Sequence, residues 1–150
     1  MLCSWPPTRV RRRSTGLIAG LCLSAAACLP AQAHLLVVVH RSTQVMDVSN
    51  GGVLLARWPV STARPGFVTP AGAYRPTRLE RMWRSSKYEW APMPHSIFFR
   101  GGYAIHGTFE TRALGRPVSH GCVRLAPGNA RTLFDLVRQE GEGRTRIIVR

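Results

Sequence analysis

Apolar and polar positions alternate over short stretches of this chain, the pattern of half-buried strands. Residues 34–40, HLLVVVH, are apolar and β-branched, and residues 43–49, TQVMDVS, alternate one by one. Asn50-Gly51-Gly52 then turns the chain into VLLARWPVS. An Asn-Gly pair between two such runs is the strongest short hairpin signal, because the turn needs positive φ. Residues 63–76, ARPGFVTPAGAYRP, are broken by Gly and Pro into turns around one short strand. SIFFRGGYAIHG reads as two strands joined at Gly101–Gly102, with His106 at the end of the second.

One stretch changes period. In GNARTLFDLVRQEG the apolar residues Ala130, Leu133, Phe134 and Val137 fall at i, i+3, i+4 and i+7, which predicts an amphipathic helix stopped by Gly141. RTRIIVR is a final strand. Residues 79–94, LERMWRSSKYEWAPMP, read as loop-like and carry Trp83, Tyr88 and Trp90. Two readings stand for this segment: a lid over a site, or aromatics packed on a barrel. The whole predicts a mainly β domain, β-sandwich-like or barrel-like, with one or two short helices.

The N-terminus belongs to a different regime. Residues 1–16 hold four Arg and no acid, residues 17–29 form an apolar run of thirteen, and residues 31–33 end it as Ala-Gln-Ala. A basic start, an apolar middle and a small-residue exit make a secretory signal peptide over residues 1–33. The run is too short for a membrane span, which needs about 20 apolar residues. Arg11–Arg13 faintly resemble a twin-arginine signal, and Ala25–Cys28 a lipoprotein box, but cleavage after Ala33 fits better. The mature chain is then residues 34–150, enough for one domain with a single core. The leader carries four of the 21 basic residues and none of the seven acidic ones, leaving a mature net charge of +10. In an exported protein, such a balance suits anionic envelope polymers or carboxylate-bearing substrates rather than nucleic acid.

Cysteine usage narrows the chemistry. Cys3, Cys22 and Cys28 lie in the leader, so Cys122 alone remains in the mature chain. An intramolecular disulfide is excluded. A structural zinc site would need several Cys or His at short spacings, and only His120 is near. A buried inert thiol is the plain alternative. The neighbours in SHGCVRL favour a reactive one. Gly121 permits unusual backbone angles, and consecutive backbone N–H groups there can converge on an oxyanion. His106 and His120 are both candidate bases. Glu110 is the one acid between His106 and Cys122, so a backbone carbonyl is the simpler orienter of the base. A thiol paired with an imidazolium is expected to have a lowered pKa.

The ordered set VSTARPGFVTPAGAY, MPHSIFFRGGYAIHGT and RPVSHGCVRL resembles the L,D-transpeptidase catalytic domain of the YkuD type, over roughly residues 35–150. The resemblance implies a cysteine nucleophile at Cys122, a proton-transferring base at His106, and an orienting carbonyl on Gly107. It places His120 and Gly121 in the oxyanion loop. Ser119, Arg124, Tyr88 and Tyr103 are the candidate substrate-binding residues. It further implies peptidoglycan stem peptides as substrates, an amine acceptor that extends to an envelope lipoprotein, no cofactor, no metal, and a place in the periplasm or cell envelope. Hydrolytic members, carboxypeptidases or amidases, use the same residues, and a non-catalytic peptidoglycan-binding module is the other alternative. Three departures stand out. The loop at 107–118 is twelve residues, shorter than members of the family often carry. Arg124 stands where Asn is common, and Ala63 where Gly is common.

Export makes a direct expectation: N-terminal sequencing of envelope-fraction protein begins at His34. Recovery of the full-length chain from cytosol contradicts it, and a lipid-modified Cys28 replaces it with the lipoprotein route.

Overall fold

A computed structural model describes residues 35–150, and the leader expected over residues 1–33 lies outside the described residues. The first alternating runs form β1 (Leu35–His40), β2 (Val45–Asn50) and β3 (Val53–Pro59), a meander whose second turn places Gly51 and Gly52 at φ 55° and 86°. Short strand β4 (Gly72–Tyr74) follows the Gly/Pro-rich stretch. β5 (Arg78–Ser85), β6 (Ala91–Arg100) and β7 (Tyr103–Gly107) come next, then β8 (Val123–Leu125), helix α1 (Pro127–Glu140) and β9 (Thr145–Val149). Two short 3-10 turns, Thr111–Ala113 and Glu142–Arg144, complete the list.

The strands build two sheets, ordered β3-β2-β1-β9-β4 and β5-β6-β7-β8. Two neighbour pairs are parallel, β1 with β9 and β7 with β8. A parallel pair cannot be closed by a tight turn, so each joins distant parts of the chain. α1 starts with Pro127 in its first turn, where a missing N–H costs nothing. It ends at Gly141, φ 89°, whose N–H reaches the Val137 carbonyl. Its apolar face is the expected one: Ala130, Leu133, Phe134 and Val137 are all buried. They pack against β6, β7 and β1 and join the inward residues of both sheets in one core.

The four-stranded sheet has two occupied faces. Ile97, Phe99, Ile105, Val123 and Leu125 face the main core. Met93, Phe98 and Ala104 form a second cluster on the other face, with Trp83 and Cys122 against it. Gly107, at the end of β7, is a tight point. A Cβ there would sit 3.0 Å from Pro94 Cγ and 3.3 Å from Ala130 Cβ, so β7 and α1 approach as closely as they do because nothing projects.

Residues 79–94 correct the loop reading. They belong to the β5–β6 hairpin, paired from Arg78↔Phe98 to Ser85↔Ala91. Alternation is poor because an apolar stack, not a simple core face, organises the hairpin. Trp83 meets Phe98 edge-on at 5.7 Å, and the Arg78 guanidinium lies over both rings at 4.4 and 4.1 Å. Trp90 is 64% exposed at the hairpin tip, so only Trp83 of the two tryptophans packs.

The core should be sensitive where α1 enters it. Leu133→Ala empties a fully buried position and is expected to cost about 2–5 kcal/mol in urea unfolding. Leu136→Ala, at the edge of the same core, should cost less than Leu133→Ala in the same titration.

Candidate active site

The parallel pairing of β7 and β8 fixes the site's geometry. Ile105 lies beside Val123, His106 beside Arg124, and Gly107 beside Leu125. Side chains beside each other in register point to one face, and residues two apart share it. Val123 and Leu125 therefore enter the core, while Cys122, Arg124 and His106 turn to the opposite side. That side is a cavity of about 780 Å³, whose lining includes all three together with His120, Tyr88 and Phe98. The tip of the β5–β6 hairpin supplies another wall through residues 85–89. Trp83 both packs on Phe98 and lines the cavity, and the hairpin tip borders it.

His106 is buried, and its Nδ1 lies 2.7 Å from the Gly107 carbonyl oxygen. A carbonyl only accepts, so Nδ1 carries the proton and Nε2 is the open, basic nitrogen. Burial pushes its pKa from 6.5 down to about 4; the Gly107 carbonyl opposes this and the Arg124 charge adds to it. The imidazole is neutral at neutral pH. Cys122 is the free cysteine among the described residues, and its thiol makes a long contact, 3.8 Å, to the Gly102 carbonyl. Burial raises the thiol pKa above its ordinary value, against the lowering pull of the Ala104 backbone and of Arg124. This corrects the expectation of a lowered thiol. Both shifts favour the neutral forms, a thiol and an imidazole.

The loop from Ser119 to Cys122 is held from both sides. Ser119 is buried; its Oγ donates to the Cys122 carbonyl at 2.6 Å and accepts the Gly121 N–H at 3.0 Å. The Ser119 hydroxyl thus holds the loop, while the residue also lines the cavity. The Gly121 N–H is likewise committed, which removes it from the converging donors expected for an oxyanion. Across the loop, Thr69 Oγ1 donates to the Gly121 carbonyl at 2.8 Å and accepts the Ala63 N–H at 2.9 Å. Ser61 exchanges two backbone hydrogen bonds with Arg124, and Ser119 is bridged to Thr62 and Arg64. Thr69, Ser61, Thr62 and Arg64 were not singled out from the sequence, and Ala63 only as a departure from the family pattern; all lie in VSTARPGFVTPAGAY, where their spacing alone carries no signal.

Gly121 sits at φ 131°, a conformation that side chains rarely adopt. A Cβ there would be 2.7 Å from the Tyr103 ring and 2.9 Å from the Val68 carbonyl. Tyr103 therefore lies beneath the loop, packed against the main core, and is not among the residues lining the cavity. This departs from its expected place as a substrate contact. Tyr88 does line the cavity and stacks on His120, with ring centroids 4.5 Å apart and planes at 16°. Phe67 meets the same imidazole edge-on at 4.7 Å. His120 is thus clamped between two aromatic rings. Its pKa is lowered by burial first, then by the charges of Arg64, Arg124 and Lys87. Arg124, 20% exposed by side chain, donates through Nη1 to Glu110 Oε2 at 2.9 Å.

Two sheets carrying a thiol and an oriented, neutral imidazole on one cavity wall make a scaffold suited to acyl transfer. The model of the YkuD family, the L,D-transpeptidase catalytic domain, matches residues 34–149, and the chain belongs to that family. It is 28% identical over 114 residues to L,D-transpeptidase 1 of Mycobacterium tuberculosis, covering 67% of this chain and 45% of that protein. An L,D-transpeptidase from Mycobacterium smegmatis superposes with a TM-score of 0.71 at 28% identity, over 79% of this chain and 59% of that one. The LD transpeptidase LdtMt1, solved in complex with imipenem, gives 0.69 at 25% identity, over 78% and 59%. This chain therefore spans about half the length of the curated relative and about three fifths of the solved chains.

The loop should not tolerate a side chain at its glycine. Gly121→Ala is expected to displace the SHGC backbone and cost about 1–3 kcal/mol, the range of backbone strain and overpacking. Denaturation midpoints check the cost. The iodoacetamide alkylation rate of Cys122 should change with it; an unchanged rate and midpoint would show that Tyr103 and Val68 yield freely.

Proposed function

We propose that this protein is a peptidoglycan L,D-transpeptidase acting through a cysteine thioester. The observation that carries the reading is the shared cavity wall of Cys122 and His106, with His106 Nδ1 held by the Gly107 carbonyl. Family membership supplies the substrate class. The acyl donor is a tetrapeptide stem, cut between its third residue, a diamino acid, and the terminal D-amino acid.

In the proposed reaction Cys122 Sγ bonds to the scissile carbonyl carbon while the thiol proton passes to His106 Nε2. Both groups rest neutral, so proton transfer accompanies attack rather than preceding it. The tetrahedral oxyanion collapses, the C–N bond breaks, and Nε2–H protonates the departing amine. A thioester remains on Cys122. An amine acceptor then attacks it, giving its proton to Nε2, and the thiol leaves with that proton restored. The acceptor is another stem, a free D-amino acid or a lipoprotein lysine, with water giving hydrolysis instead. His120, clamped by Tyr88 and Phe67, shapes the loop rather than acting as base. Arg124 binds a donor carboxylate, a pairing suited to a planar guanidinium. The mature domain's positive charge fits a polymer with free carboxylates, and the proposed setting is the periplasm or cell envelope, reached after removal of residues 1–33.

A carbapenem offers a compact test, since a solved relative holds imipenem. Intact mass is expected to show one imipenem adduct on the wild type and none on Cys122→Ala. The sign of the pH dependence follows from His106: it must be neutral to accept a proton, and it is neutral above about 4. Acylation should therefore hold level through neutral pH and fall in acid as His106 protonates. His106→Ala should abolish acylation at neutral pH and recover partly in alkali, where the thiolate forms unaided; His120→Ala should slow turnover while leaving this profile in place. Equal adducts on wild type and Cys122→Ala, or the alkaline recovery appearing in His120→Ala instead, would reverse the assignment. Mass spectrometry of products from purified muropeptides then separates cross-linking from exchange and hydrolysis.

A further inference from the structure

Three cationic side chains line the cavity, and they are not equivalent. Arg78 lies over the Trp83 and Phe98 rings and 3.8 Å from Glu80, so its charge already has partners. Lys87 lies at the hairpin tip, near the Tyr88 ring. Arg124 stands beside His106 in the β7–β8 register, and its side chain is mostly covered. It already holds a carboxylate: Glu110 Oε2 accepts from Arg124 Nη1 at 2.9 Å. Glu110 comes from the short loop after β7, lines the same cavity, and is 73% exposed by side chain.

The asymmetry in exposure sets the chemistry. A cation fixed in a cavity wall beside the reacting groups meets an anion that is largely in water. Such a pair is weak, because solvent screens it and the exposed partner keeps its freedom to move away. A carboxylate arriving with a bound ligand meets Arg124 with that ligand's other contacts already made. It competes with Glu110 for the same guanidinium donors.

We propose that Glu110 is a specificity-determining residue, an internal carboxylate that occupies Arg124 in the empty enzyme and must be displaced by a carboxylate of the acyl donor. This rests on the acyl-transfer reading of the site. Glu110 touches no reacting atom; it acts through Arg124 by setting how strongly a donor carboxylate must bind. The consequence is a filter: donors that present a carboxylate at this position exchange with Glu110, and donors that present a carboxamide leave the pair closed.

The test compares two tetrapeptide stems, one with its third-residue side-chain carboxylate free and one with it converted to the amide. The rate constant for acylation of Cys122 at low donor concentration is read by intact mass. Glu110→Gln is expected to raise the rate with the carboxylate stem by up to about fivefold, the span of exposed ion pairs, and to leave the amide stem's rate as it was. Arg124→Gln should lower the carboxylate stem's rate, and the Glu110→Gln gain should vanish in the double variant. Arg124→Lys should restore part of both effects. A purely structural role for Glu110 in its loop would shift both stems together, and that outcome overturns the proposal, as does no shift with either. If the wild type is acylated by neither stem, the transpeptidase reading fails and this inference with it; acylation without discrimination removes the inference alone.

Discussion

The parallel pairing of β7 with β8 is the constraint on which the site depends. It sets His106 beside Arg124 and, through the strand period of two, turns Cys122 to the same face. The same register sends Val123 and Leu125 into the core with Ile105. A slip by one residue would exchange those faces, burying Arg124 and exposing Val123. Core burial therefore enforces the relative position of thiol and imidazole, although neither belongs to the core. Gly107 tightens this further, since a side chain there would meet Pro94 and Ala130 and push the end of β7 away from α1.

The second layer of control is the loop itself. Parallel strands leave their connection long, and here it must return the chain to deliver Ser119–Cys122 beside the start of β8. Ser119 Oγ holds it from within, and Thr69, Thr62 and Arg64 hold it from the facing segment. Every one of these bonds ends on loop backbone. The His120 and Cys122 side chains are thereby left to the cavity, and Gly121 is squeezed between the Tyr103 ring and the Val68 carbonyl. The loop's shape thus rests on partners distant in sequence as well as on the local Ser119 hydroxyl.

This division explains what could be read in the sequence. β1, β2, β9 and α1 bury one face in the main core and were legible by period, whereas β3 and β7 were legible from the Gly-containing turns beside them. The β5–β6 hairpin was not. Its contacts run through Trp83, Phe98 and the Arg78 guanidinium, and a cation counted as polar breaks the pattern it helps to pack. Cys122, His106 and Gly107 were picked out through a motif resemblance, and the fold puts Cys122 and His106 on one cavity wall with His106 held by the Gly107 carbonyl. The loop contacts of Ser119 and Tyr103 were not legible, since they depend on partners that local sequence does not name. The direction of the thiol's pKa was missed for the same reason: burial is a property of the assembled sheet.

The electrostatics of the wall then follow from where Arg124 is placed. Its charge lowers the pKa of both histidines and pulls that of Cys122 down, favouring a thiolate and opposing an imidazolium. Burial opposes both charged forms and is the larger influence on Cys122 and on His106. The two influences agree on a neutral His106 and disagree on the thiol. A bound carboxylate on Arg124 would offset part of that cation's charge at His106 Nε2, easing proton acceptance as the reaction begins. Glu110 already offsets some of it from a solvated position. In the proposed reaction, donor recognition and the basicity of His106 would therefore be tied to one guanidinium, placed by the same register that places His106.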